Sequence, residues 1–176
     1  MHRSPRRLSR LKRLVPAPLK RAAQAARLNW KLRRAIKRIA NLPPGQNPTA
    51  RMLLDLQVGW GNQDYAPRTD FLEEVARRAT RTTGPILECG SGLTTILLGL
   101  LAGRRGVKTY SLEHGLEWRT RINKTLDRFK LPNVQVHWAP LREYDGFDWY
   151  DPPLAQLPKE FEFVIPPEPE MKEAAN

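Results

Sequence analysis

The apolar positions of this chain change period along its length. From about residue 19 to residue 40, Leu28, Leu32, Ala35, Ile36 and Ile39 recur at helical spacing and form one apolar stripe. Arg27, Lys31, Arg33, Arg34, Lys37 and Arg38 cover much of the remaining circumference. Asn41-Leu42-Pro43-Pro44-Gly45 ends that helix, because proline cannot continue it and glycine suits a left-handed cap. Residues 45–68 read as a connector containing Trp60, Gly61, Asn62 and Tyr65. Thr69 or Asp70 then caps a helix running to about residue 81, with Glu73 and Glu74 in its first turns.

Beyond Thr83-Gly84-Pro85 the apolar runs become short and alternate with helical segments. Strands are expected at 86–88, 107–112, 134–138 and 161–165, with helices at 93–101 and 117–129. That alternation predicts an α/β fold: a parallel sheet of about four strands with flanking helices. The expected organisation is a basic arm and helix over 1–44, the connector over 45–68, one α/β domain over 69–165, and a proline- and charge-rich disordered tail over 166–176. Residues 1–18, rich in arginine and broken by Pro5, Pro16 and Pro18, are expected to hold little stable structure.

Charge sharpens this division. Residues 1–54 hold 15 of the 30 Lys and Arg and no Asp or Glu; the rest holds the other 15 and all 18 acids, a net of −3. The formal charge of +12 therefore belongs to the N-terminal arm, and a wholly basic nucleic-acid-binding protein is disfavoured. No apolar run is long enough to span a bilayer. The single cysteine, Cys89, excludes an internal disulfide framework and a multi-cysteine zinc site, and fits a reducing, cytoplasmic setting. His2, His114 and His137 have no metal-ligand spacing.

The candidate chemistry lies in Leu87-Glu88-Cys89-Gly90-Ser91-Gly92-Leu93-Thr94-Thr95, where a strand enters a glycine turn and a helix follows at once. Ligands of open parallel sheets bind at the carboxyl ends of the strands. Gly90 and Gly92 let the backbone approach such a ligand, and the amides of the following helix suit a carboxylate or phosphate. The third glycine of a dinucleotide fingerprint is absent, since Thr95 stands there, and Glu88 would repel a pyrophosphate. A ligand with an ammonium and a sulfonium would instead be attracted. The second strand ends in Ser111-Leu112-Glu113-His114-Gly115, which puts Glu113 where an acid reaches ribose hydroxyls.

Together these residues make the chain resemble class I S-adenosylmethionine-dependent methyltransferases, over roughly residues 55–165. Their acid-x-Gly-x-Gly motif is matched by Glu88, Gly90 and Gly92, and their second acid by Glu113; the Trp60-Gly61-Asn62…Tyr65 stretch adds to the likeness. The resemblance implies a Rossmann-like fold of strand order 3-2-1-4-5-7-6, here ending after the fourth strand as 3-2-1-4. It implies S-adenosylmethionine as cofactor, held by Glu88 near the methionine amino group, by Gly90, Ser91 and Gly92 in the turn, and by Glu113 on the ribose, with His114 lining the site. It leaves the methyl acceptor and the catalytic residue unknown.

Two departures stand out. Trp138-Ala139-Pro140-Leu141 replaces the polar residue that holds the adenine amine in many relatives, leaving an apolar wall. Phe161-Glu162-Phe163-Val164-Ile165 runs into Pro166-Pro167 without the Asp-Gly pair that follows the fourth strand in this variant of the family. The fourth strand is then an apolar sheet edge, and self-association through it is expected. A catalytically dead remnant or cofactor-binding module is one alternative to an active transferase. A basic peripheral-membrane or nucleic-acid-binding protein acting through residues 1–40 is another.

Blander readings stand beside the sharp ones. Glu88 could cap the turn, Cys89 fills core space, His114 could lie on the surface, and His137 reads as a strand residue. The aromatic and acidic run Tyr144, Asp145, Asp148, Trp149, Tyr150 and Asp151 could close over the cofactor, but packing is the favoured reading. The basic helix has four readings: packing of its stripe on the domain, contact with an anionic membrane, contact with nucleic acid, or a targeting presequence. Packing and membrane contact rank ahead of nucleic acid, because no interleaved aromatic platform accompanies the charge.

Overall fold

The computed structural model describes residues 16–61 and 67–167. The expectations for the extreme N-terminal arm, for Asn62 and Tyr65, and for most of the tail lie outside the described residues, as does His2. The elements in chain order are α1 (Ala17–Ala40), α2 (Ala50–Trp60), α3 (Thr69–Ala79), β1 (Ile86–Cys89), α4 (Leu93–Leu101), β2 (Thr109–Glu113), α5 (Leu116–Phe129), β3 (Val134–Trp138), β4 (Leu141–Tyr144), β5 (Phe147–Tyr150) and β6 (Phe163–Ile165). Four strands form a parallel sheet of order β3-β2-β1-β6, and β4 and β5 form a separate antiparallel pair. The α/β class and the expected order 3-2-1-4 are those of this sheet, with β6 as the fourth strand.

Strand alternation gives the sheet two unlike faces. Ile86, Val134, Val136, Phe163 and Ile165 join the main core with Leu93, Ile96, Leu97 and Leu100 of α4 and Ile122 and Leu126 of α5. Cys89, Leu112, Ala139 and Tyr150 form a second, smaller cluster, with Leu87 and Leu157 packed against it. One face is thus covered by helices and the other by the 139–162 segment. There His137 stacks on Tyr110, and Phe161 meets Tyr110 edge-on.

The apolar stripe of α1 packs on the domain: Leu32, Ala35, Ile36 and Ile39 are buried in the main core. Residues 45–68 are not merely a connector, since they contain α2. Thr49 caps it by accepting from the Met52 amide, Gly61 ends it in the left-handed region at φ 75°, and Met52, Leu53, Leu56 and Trp60 bury one face. The two helices cross at backbone contact. A Cβ on Gly59 would lie 2.5 Å from the Leu32 nitrogen, so only glycine permits the approach.

Three other expectations are corrected. Arg68, not Thr69 or Asp70, stands at the cap of α3, and the Asp70 carboxylate accepts from the Phe71 amide inside the first turn. The aromatic run at 141–150 is a hairpin whose Asp145-Gly146 turn has both residues at positive φ, 43° and 91°, the type I′ geometry that twists with the strands. The fourth strand is three residues long, with Phe163 and Ile165 buried and Val164 half exposed at the sheet edge.

Two charged side chains tie the helical layer to the sheet. The Arg105 guanidinium donates to the carbonyls of Ala79, Thr80 and Thr82, satisfying the orphan acceptors where α3 ends. The Glu162 carboxylate accepts from the Thr83 and Gly84 amides and the Thr83 hydroxyl, so the approach to β6 is fixed to the approach to β1. These bonds to backbone hold Glu162 below the usual carboxylate range.

Candidate functional site at the strand carboxyl ends

β1 and β2 pair in parallel with Glu88 beside Ser111 and Cys89 beside Leu112, and the Gly90 amide continues the ladder to the Leu112 carbonyl. This register brings the glycine turn alongside Glu113. Gly90 takes φ 92°, which a side chain disfavours, and a Cβ there would also meet the Tyr150 hydroxyl at 3.4 Å. Gly92 is extended, with open space where its Cβ would stand. Its amide donates to Thr95 Oγ1 at 2.7 Å.

Glu88 is 1% exposed, and both its oxygens are engaged within the turn: Thr94 Oγ1 donates to one, and Thr95 Oγ1 to the other at 2.7 Å. Burial pushes its carboxyl up to about 7, an effect the threonine hydroxyls oppose and the nearby Glu113 charge reinforces. A relay therefore runs from the Gly92 amide through Thr95 to Glu88, and the acid is a structural part of the turn.

Glu113 is 4% exposed and bonded differently. One oxygen accepts from the Ser91 amide at 3.1 Å and from the Ser91 hydroxyl; the other accepts from the Gly115 amide at 2.8 Å. Of these donors only the Ser91 hydroxyl is free to rotate. The Ser91 carbonyl in turn accepts from Trp118 Nε1 at 2.6 Å. The exposed His114 ring lies beside this acid, its Nδ1 3.7 Å from Glu113 and its plane tilted over Tyr150.

Next to Glu113 opens a hollow of about 800 Å³ at the carboxyl ends of β2 and β3. His114, Leu116 and Trp118 line one side, and Trp138, Pro140 and Leu141 line the other. Arg121 closes one end; its guanidinium stacks over Trp118 at 4.8 Å and Trp60 at 5.8 Å, and the two indoles meet edge-on. The apolar wall expected after the third strand is therefore present. Tyr150 roofs the turn from the opposite face, and burial, with the charges of Glu113, Cys89 and Glu88, pushes its phenol up to about 12.

The predicted residues Glu88, Gly90, Ser91, Gly92, Glu113 and His114 thus gather at the carboxyl ends of β1 and β2. Sequence reasoning overlooked Trp118 and Arg121, ranked a covering role for the Tyr150 cluster below packing, and read Thr95 only as a missing glycine. Hydroxyls at the second and third helical positions after a glycine turn, with an acid on the preceding strand, were the available signal for the relay. Among the described residues no cluster of His, Cys, Asp and Glu could hold a metal ion, and no helix is long and apolar enough to cross a membrane. No family model matches this chain, and no curated protein matches it.

Proposed function

We propose that the chain binds S-adenosylmethionine at the carboxyl ends of β1 and β2, in a Rossmann-like arrangement, and is a methyltransferase whose acceptor is unknown. The observation that carries this reading is the buried Glu113 carboxylate. It sits beside the glycine turn with one rotatable donor, the Ser91 hydroxyl, directly before His114 and Gly115, which line a mostly apolar hollow. Rotation of Ser91 would free an acceptor for the ribose hydroxyls. The hollow between Leu116, Trp118, Trp138 and Pro140 has the flat apolar walls an adenine ring needs.

In this reading Glu88 acts from beneath the turn. Its oxygens belong to Thr94 and Thr95, so it contributes negative potential and holds the loop, while the helix amides at Leu93 and Thr94 suit the methionine carboxylate. The Tyr150 phenol stays protonated through the physiological range and can donate from above Gly90. The cofactor supplies an electrophilic methyl group on a sulfonium. The protein's part is to orient it and exclude water. No side chain is assigned as general base.

Calorimetric titration with S-adenosylmethionine and S-adenosylhomocysteine tests the reading. Both should bind saturably, and Glu113→Ala should weaken binding about thirtyfold or more, as loss of a charged hydrogen-bond acceptor does. A folded chain that takes up neither compound would end it. Cofactor binding without turnover across acceptor classes would favour the cofactor-binding module over the enzyme.

A further inference from the structure

The packed stripe of α1 leaves the opposite side of the helix in solvent. That outer side is not uniformly polar. Leu19, Ala23, Ala26 and Trp30 follow one another at intervals of four, three and four residues and are all exposed, Leu19 by 59% and Trp30 by 58%. On a helix such spacing draws a second stripe, roughly opposite Leu32, Ala35, Ile36 and Ile39. Lys20, Arg27, Arg33, Arg34 and Lys37 flank it, all exposed, and the whole of α1 carries eight cations and no acid. Arg34 stacks on Trp30 at 5.3 Å, so the indole stands among the charges.

We propose that this outer face of α1 docks on an anionic lipid surface, lying in the interface plane with Leu19 and Trp30 inserted and the flanking cations at the headgroups. The charge of the face selects a negatively charged partner. The two large side chains select one with an apolar layer behind its charges, and indoles favour the membrane interface. Nucleic acid offers the charge without that layer, and its bases need a stacking platform, whereas alanines separate the only exposed aromatic of this face from Leu19. The inner stripe cannot serve the same purpose, because it is already part of the protein core. This docking is independent of the cofactor reading.

The test uses the full chain and vesicles of two parts phosphatidylcholine to one part phosphatidylglycerol, with pure phosphatidylcholine vesicles and a uridine 20-mer as the other arms. Binding to the anionic vesicles is expected, with little to the neutral ones. Leu19→Ser/Trp30→Ser keeps every cation and should weaken vesicle binding at least tenfold. Lys20→Gln/Arg27→Gln/Arg34→Gln keeps the apolar stripe and should weaken it about a hundredfold and flatten its salt dependence. Lipids brominated on the acyl chains should quench fluorescence that is lost in Trp30→Phe. The proposal is overturned by a chain that ignores anionic vesicles, by serine variants that bind undiminished, by absence of that quenching, or by RNA binding of equal strength with the same Trp30 dependence.

Discussion

Glu88 and Glu113 lie toward the carboxyl ends of neighbouring central strands, yet their surroundings differ in kind. Glu88 is sealed beneath a turn, where two neutral side-chain hydroxyls, those of Thr94 and Thr95, donate to its oxygens. Glu113 is held by two backbone amides that point permanently at its oxygens, and the residues that follow it, His114 and Gly115, line the hollow. Burial raises the Glu88 carboxyl against the opposing pull of its threonine hydroxyls. One residue type thus sits in two settings: Glu113 is pinned by the backbone of the glycine turn and of the following loop, and Glu88 ties the turn to the helix that follows it.

The largest effect that separates the two acids is on stability against pH. The folded state raises Glu88 to about 7 from an ordinary 4.5. A raised acid makes the folded state the better proton binder. Its stabilising contribution is fully present below about pH 4.5 and is lost as pH climbs through 7. Glu88→Gln should therefore flatten the fall in thermal midpoint between pH 5 and 8, removing on the order of 1–3 kcal/mol of pH dependence. If the variant keeps the slope of the parent, the buried acid is not its source.

A smaller effect is expected on the Glu113 side. Trp138→Ala strips one wall of the hollow while leaving a half-exposed strand position. Cofactor affinity should drop about five- to tenfold, with stability changing by only about 0.5 kcal/mol. Affinity equal to that of the parent would place the adenine elsewhere. The smallest effect belongs to the roof. The Tyr150 hydroxyl has no hydrogen-bond partner among the described residues, so Tyr150→Phe should shift stability by less than about 0.5 kcal/mol. It should also remove the highest-pH step from an ultraviolet phenol titration, and a step that survives the substitution belongs to another tyrosine.

What the sequence made legible follows the same division between strong and weak local signals. β1, α4, β2 and β3 are apolar runs bounded by glycine, proline or charge, α5 is amphipathic with Ile122 and Leu126 four apart on its buried side, and these periods place them to within a residue or two. The glycine turn and both acids were legible for the same reason, since strand, turn and helix follow without a gap. α2 was not, although Thr49 and the Met52, Leu53, Leu56 and Trp60 spacing mark it, because its eleven residues lie between proline-rich and glycine-rich stretches that read as loop. The β4–β5 hairpin escaped because most of its side chains are exposed and Tyr150 alone is buried. Its Asp145-Gly146 turn was the one available cue. Trp118 and Arg121 were invisible as site residues, since only the folded chain brings Trp60 to them across the surface.

The bare backbone at Gly59 has a mechanical consequence. Helices that meet through side chains can roll or slide on one another, because rotamers yield. At this crossing the Leu32 backbone rests directly on α2, and nothing between them can give. The outer face of α1 is therefore backed by α2 with no adjustable layer between them, and a load on that face passes to α2 undamped.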